Sequence, residues 1–205
     1  MIRPYSLLLA CMLSLSACAN NPPVPEDRYY RLPWPHTSLA EVKLTAGGIF
    51  VEQFIADGLY RERPLIHADD RMGMELKQYH YHHWVDSPAR MLRDHLIRYL
   101  TESRAADYVV DYIDPSANLA IHGKIKAFER SIYNNTDQVN VEIDFRVDKT
   151  GNGLTVLTST YHVRTPVRTH HMNEVVLAFE NALKQVYAQL LADLSDKLIH
   201  QDSSR

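Results

Sequence analysis

The sequence predicts an α+β fold: a single domain with a mostly antiparallel sheet and two main helices, the second of them long and C-terminal. Three observations predict it. Apolar and polar residues alternate over residues 139–147, which is the period-two pattern of a half-buried strand. Apolar residues recur every three or four positions over residues 173–200, as in a long amphipathic helix. The elements follow the order strands, helix, strands, helix, which is typical of α+β domains.

Length, charge and cysteine content narrow the class of protein. A chain of 205 residues suits one well-buried core. It carries 22 Lys and Arg against 25 Asp and Glu, a net charge of −3, without a block of like charge, and this argues against a nucleic-acid partner. Both cysteines, Cys11 and Cys18, lie in the N-terminal stretch. Because cleavage there would remove one of them, no disulfide is expected within the mature chain.

Residues 1–17 have the three parts of a lipoprotein signal peptide. Arg3 supplies the positive start, residues 7–15 the apolar run, and Leu-Ser-Ala before Cys18 the small-residue cleavage site. The apolar run is shorter than the roughly 20 residues that span a bilayer. We expect cleavage between Ala17 and Cys18 and lipidation of Cys18, whose acyl chains anchor the protein durably in membrane lipid.

Two other interpretations of this stretch stay open. An ordinary signal peptide would be cleaved near Ala17 or Ala19 and would leave Cys18 as an incidental small residue. Cys11 is a weaker lipidation match, because almost no apolar run precedes it.

Residues 18–28 are expected to form a lipid-anchored flexible spacer. Three prolines and their polar neighbours favour extended backbone over helix. The folded α+β domain is then predicted over residues 29–205. Its first segment, from Tyr29 to Leu32, is rich in aromatic residues and ends at a proline, which predicts a short edge strand.

Three further strands are predicted before the first helix. Residues 49–55 follow two glycines and are rich in β-branched and aromatic side chains. Residues 65–67 form a short strand after a turn at 59–64, and residues 74–85 form a longer one.

The first helix is predicted over residues 88–103. Ser87 is expected to cap its free amide groups, and Pro88 suits the first helical position because it lacks an N–H. One stripe of this helix is apolar and consists of Ala89, Leu92, Leu96, Tyr99 and Leu100.

The second half of the domain is predicted to begin with four strands. Residues 108–113 and 119–128 are the first two. The alternating strand at 139–147 is joined by a Gly-rich turn to residues 154–164, so these two are expected to form an antiparallel hairpin.

The strongest chemical signal is the histidine cluster at His80, His82 and His83. In a strand, His80 and His82 lie on one face about 7 Å apart, within reach of one metal ion. No Cys, Asp or Glu has the spacing that completes a zinc site, so surface or interface roles are favoured over a metal site. A periplasmic metal-binding or hydrolytic lipoprotein is kept as the alternative function.

Motifs for nucleophilic catalysis and for nucleotide binding are missing. The 7 glycines form no Gly-x-Ser-x-Gly elbow, no Walker loop and no dinucleotide fingerprint. We therefore expect no enzyme and no cofactor.

Several short motifs in a fixed order resemble those of one protein family. They are the lipidation motif at Cys18, the segment Tyr29 to Pro33, Val-Glu-Gln at residues 51–53, and Trp84 with Pro88 ahead of the first helix. The chain resembles the ABC-type transport auxiliary lipoprotein family (PqiC/YmbA-like) over nearly its whole length.

Two local features differ from that family. Residues 56–59 replace a proline and a tyrosine that usually follow the first strand. The stretch from Trp84 to Pro88 is one residue longer than the family's Trp-Ala-x-Pro. Different loop geometry is expected at both places.

The resemblance implies a non-catalytic outer-membrane lipoprotein of an MCE/ABC-type intermembrane lipid transport system. Its implied partners are a periplasm-spanning MCE-domain protein and inner-membrane transport components, and it implies a ring-forming homo-oligomer on the periplasmic side. Tyr29, Tyr30, Leu32 and Trp84 are the candidate interface residues. Ala19, rather than an Asp, follows Cys18, which favours the outer membrane. A monomeric binder of apolar ligands stays open as a third function.

Overall fold

The computed structural model describes residues 25–34 and 39–202 and confirms the predicted α+β fold. Two helices pack on one mixed sheet. The strands are β1 Arg28–Tyr30, β2 Gly48–Val51, β3 Ile55–Ala56, β4 Pro64–Ala68, β5 Leu76–Trp84, β6 Tyr108–Val110, β7 Ala117–Tyr133, β8 Thr136–Lys149 and β9 Thr155–Pro166. The helices are α1 Pro88–Glu102 and α2 Met172–Asp202, with a 3-10 helix at Gly58–Arg61. Within these described ranges, no helix has both the length and the apolar character needed to span a bilayer.

Strand β7 is the centre of the sheet because its 17 residues pair along both edges. Strand β8 runs antiparallel to one edge, and β9 runs antiparallel to β8. Along the other edge β2, β3 and β4 follow one another, each parallel to β7. Strand β6 extends the sheet beyond β2, and β5 followed by β1 extends it beyond β4. The longest pairings are therefore antiparallel, and short parallel strands complete the sheet.

The two ends of β7 carry different parts of the molecule. At the Ala117 end lie β2, β6 and the β8–β9 turn, and Leu198 near the end of α2 reaches this region. At the Tyr133 end lie β4, the last residues of β9 and the beginning of α2. A strand rises about 3.3 Å per residue, so the two ends of β7 are on the order of 50 Å apart along the strand. We refer to them below as the Ala117 end and the Tyr133 end.

The predicted hairpin is confirmed and is longer than expected. Strands β8 and β9 pair from Asp148 with Thr155 to Gln138 with Pro166. Period-two alternation decides which face of β8 is buried, since side chains point to opposite faces in turn. The apolar set is at most 1 % exposed and consists of Val139, Val141, Ile143, Phe145 and Val147.

The helices cover the apolar face of the sheet. Phe179 of α2 packs on Phe128 of β7, with ring centroids 4.3 Å apart, and on Trp84 of β5 at 5.5 Å. The hydroxyl of Tyr187 in α2 donates a 3.0 Å hydrogen bond to the carbonyl of Leu92 in α1. This bond satisfies a buried polar group and links the two helices.

Two local predictions are corrected by the structure. The single strand expected at residues 49–55 is divided into β2 and β3, and between them Phe54 turns inward over Gly123. A Cβ atom added to Gly123 would lie 2.6 Å from the Phe54 ring, so only glycine permits this packing.

Ser87 precedes α1 in extended conformation, but its side chain makes no capping hydrogen bond. Its N–H instead donates to the Asp86 carboxylate at 2.8 Å.

Candidate functional site

The candidate site is the place where the N-terminal segment joins the sheet. Strand β1 lies parallel to β5, with Tyr29 opposite His83 and Tyr30 opposite Trp84. The N–H of Val85 donates to the carbonyl of Tyr30 at 2.8 Å. The expected edge strand is thus present, and it extends the sheet beyond β5.

Histidines of β5 receive the side chains of this segment. The hydroxyl of Tyr30 lies 2.8 Å from Nδ1 of His82, and the two ring centroids are 5.6 Å apart. Burial, followed by the positive charge of Arg28, lowers the pKa of His82. His83 Nε2 lies 3.5 Å from the Asp27 carboxylate. Two of the three clustered histidines therefore hold the N-terminal segment.

The four candidate interface residues lie close together but differ in exposure. Tyr29 is 54 % exposed, and the Arg63 guanidinium lies 5.2 Å from its ring centroid. Tyr30 and Leu32 are partly buried against the core. Trp84 is only 1 % exposed because it packs on Phe128 and Phe179, so it is a core residue and not part of an accessible interface. The prediction for Trp84 is wrong in this respect.

Trp34 is a second attachment point, which the sequence did not reveal. Its indole Nε1 donates to Glu102 at 2.8 Å, and the Arg98 guanidinium lies 4.5 Å from its ring centroid. Its ring also covers His95, with centroids 4.7 Å apart. The N-terminal segment is therefore attached both to the sheet and to α1, across elements far apart in sequence.

The histidine cluster does not form a metal centre in the described ranges. No group of three His, Cys, Asp or Glu side chains is placed there to hold a metal ion. His82 and His83 instead contact Tyr30 and Asp27. His80 is exposed, and its ring contacts that of the adjacent Tyr81 with centroids 6.3 Å apart.

The predicted lipidation site lies outside the described residues, as do Ala17 and the cleavage point. Cys18 is separated from Pro25, the first described residue, by seven steps along the sequence.

A groove of about 650 Å³ opens at the Ala117 end. Half of its lining residues are apolar and half are not, and Lys149 is its one charged lining residue among those described. The apolar lining consists of Leu44, Ala46, Pro115, Ala117, Leu119 and Leu198.

The sequence profile described as "ABC-type transport auxiliary lipoprotein component" matches residues 70–191, which is more than half of the chain. The chain belongs to the ABC-type transport auxiliary lipoprotein family. The match begins just before β5 and ends within α2, so it includes the strand that receives β1. Members of this family are lipoproteins associated with transport systems, as the resemblance implied.

Solved structures share the fold of this family member. A Xanthomonas campestris protein of family DUF330 is 20 % identical, with a TM-score of 0.74 over 87 % of this chain and 99 % of its own. An uncharacterised protein is 12 % identical, with a TM-score of 0.67 over 83 % and 99 %. A hypothetical protein from Chlamydia trachomatis is 6 % identical, with a TM-score of 0.50 over 75 % and 98 %. No curated protein sequence matches the chain significantly.

Proposed function

We propose that the chain is a lipid-anchored, non-catalytic component of an intermembrane lipid transport system. Its acylated Cys18 holds it in the outer membrane, with the domain on the periplasmic side. There it serves as a docking module for an MCE-domain protein that spans the periplasm and works with inner-membrane components. The domain acts as a homo-oligomer.

The observation that carries the proposal is the double attachment of the N-terminal segment. Tyr30 binds His82 on the sheet, and Trp34 contacts Arg98 and Glu102 on α1. A spacer of seven steps then leads back to Cys18. A lipid anchor attached in this way positions the domain itself, which suits a module that holds one end of an assembly at a membrane. Family membership supports the transport role.

The first prediction tests the anchor. We expect Cys18→Ser to remove acylation and to abolish activity in cells, while the domain stays folded because the described contacts of the N-terminal segment are made by residues from Asp27 onward. Incorporation of labelled palmitate, thermal unfolding and complementation of a deletion strain measure the three effects. Cys11→Ser is the matched control, since it changes the other cysteine of the signal and should leave all three unchanged. Full complementation by unlipidated protein would contradict the proposal.

A further inference from the structure

The groove and the membrane attachment lie in different parts of the molecule. Strand β1 pairs with β5 beside β4, and β4 pairs with β7 at Glu129 and beyond. The groove is lined by Ala117 and Leu119 at the other end of β7. Because β1 pairs with β5 at His83, which lies opposite Pro64 at the start of β4, its level on β7 is about residue 127, roughly 30 Å along the strand from the groove. A short tether from β1 therefore leaves the groove end free to meet a partner away from the lipid.

Large apolar side chains are exposed within three residues of positions that line this groove. Ile113, two residues before the lining residue Pro115, is 81 % exposed, and Tyr112 is 63 % exposed. Leu154, two residues after the lining residue Asn152, is 48 % exposed. Large exposed apolar side chains near a partly apolar concave site are more typical of interaction sites than of freely solvated surface.

The chemistry of the lining indicates what kind of partner fits. Lys149 forms no ion pair with any side chain of the described residues, so an incoming carboxylate would find it available. The polar lining residues Thr45 and Asn118 add hydrogen-bonding side chains to the groove, whereas the hydroxyl of Thr150 already donates to the carbonyl of Ala117. A peptide backbone uses such groups, whereas an acyl chain does not. The lining therefore fits a peptide better than a lipid chain.

We infer that this groove binds an apolar peptide segment bearing a carboxylate, supplied by the periplasm-spanning partner. The inference rests on the proposed function and specifies where its partner docks. Apolar side chains of the segment lie against Leu44, Leu119 and Leu198, and its carboxylate pairs with Lys149. The exposed Ile113 and Leu154 extend the contact beyond the groove.

Site-specific photo-crosslinking of the full lipidated chain in cells tests this assignment. A photoreactive phenylalanine analogue replaces Ile113 or Leu154, and the same replacement at Met72, which is 75 % exposed in the β4–β5 loop, is the matched control. The probe is an epitope-tagged MCE-domain protein made in the same cells. We expect crosslinks to it from positions 113 and 154 and none from position 72. Lys149→Glu should reduce the crosslink yield at least fivefold, and Lys149→Met, which keeps the apolar stem, should reduce it less.

Each other outcome overturns the assignment in a distinguishable way. Crosslinks from positions 113 and 154 to a second copy of this chain would make the groove a subunit interface, and adducts with lipid alone would make it a lipid site. Crosslinks to the MCE-domain protein from position 72 but not from positions 113 and 154 would move the docking site and leave the proposed function standing. A complete absence of such crosslinks at all these positions would count against the proposed function as well.

Discussion

His95 shows how the fold imposes a protonation state on one side chain. It is 7 % exposed and lies between the rings of Trp34 and Tyr187, with centroids 4.7 Å and 5.8 Å away. Neither ring nitrogen has a hydrogen-bond partner of good geometry among the described residues. Burial lowers the pKa of His95 to about 4, against a smaller opposing effect from the backbone of Pro33. His95 is therefore neutral at neutral pH, where it fills space under Trp34.

We predict that His95→Leu makes the domain less sensitive to acid. The unfolded chain binds a proton at His95 near pH 6.5, but the folded chain does so only near pH 4, so stability is lost as the pH falls through that window. Between about pH 7 and about pH 5, protonation of His95 in the unfolded chain lowers the free energy of unfolding of the wild type by roughly 2 kcal/mol. The variant, which has no group to titrate there, should lose that much less free energy of unfolding in urea titrations.

His80→Leu is the control for that prediction, because it removes an exposed histidine instead of the buried one. If His95→Leu loses as much free energy of unfolding between pH 7 and pH 5 as the wild type, then His95 is not buried in its neutral form.

At the scale of elements, one buried ion pair joins the β7–β8 hairpin to its neighbours. Arg130 of β7 is 5 % exposed and donates two hydrogen bonds to Asp137 of β8, at 2.8 Å and 2.5 Å. It also donates to the hydroxyl of Tyr79 in β5 at 3.1 Å. Burial alone would raise the pKa of Asp137, but hydrogen bonds from Arg130 and His170 lower it. Three strands and the segment before α2 thus meet at one buried ion pair.

We predict that Arg130→Met destabilises the domain by about 3 to 5 kcal/mol, because it leaves the largely buried Asp137 carboxylate with the exposed His170 as its remaining side-chain partner. Replacing both residues, Arg130→Met with Asp137→Leu, should recover part of this loss. Free energies of unfolding from chemical denaturation measure both effects.

Lys43→Met is the matched control for the buried pair. Lys43 and Asp107 form an ion pair whose side chains are 50 % and 59 % exposed. Exposed pairs contribute at most about 1 kcal/mol, so this variant should change stability little. Equal effects of Arg130→Met and Lys43→Met would contradict a stabilising role for the buried pair.

At the scale of the whole molecule, the position of the groove relative to the attachment at β1 is the important feature. The attachment at β1 and the groove at the Ala117 end lie at different levels of the same long strand. Under the proposed function, the membrane that holds the acylated Cys18 therefore decides toward which of the two membranes the groove faces. Moving the anchor to the other membrane would reverse this direction without changing a single contact inside the domain.

We predict that Ala19→Asp, expressed in an enteric host, keeps acylation and folding but holds the lipoprotein in the inner membrane and abolishes complementation. Membrane fractionation on a density gradient measures the location, and palmitate labelling measures acylation. Ala19→Ser, which keeps a small uncharged residue after Cys18, should remain in the outer membrane and complement. Normal function of the Ala19→Asp variant from the inner membrane would contradict the proposed outer-membrane role.

The elements that were predictable are those whose signal is local. The alternation of residues 139–147 and the repeat of residues 173–200 report directly on one buried face, and both elements appear in the structure as β8 and α2. The division of β2 from β3 was not predictable, because it depends on Phe54 packing over Gly123 of a strand about 70 residues later. The site shows the same contrast. Tyr29 and Tyr30 are recognisable in the sequence as neighbouring aromatic residues. The burial of Trp84 is visible only in the folded structure.

The sequence by itself determined the family resemblance, the two helices, the hairpin and the expectation of a lipid anchor, since each depends on neighbouring residues or on a regular period. Only the tertiary structure decided which way the histidines of β5 point, how Trp34 covers His95, and that the groove lies at the end of β7 remote from β4 and β5. The physical reason is that these features come from pairing between residues far apart in sequence. Such pairing is chosen by the packing of the whole core, which no local pattern encodes.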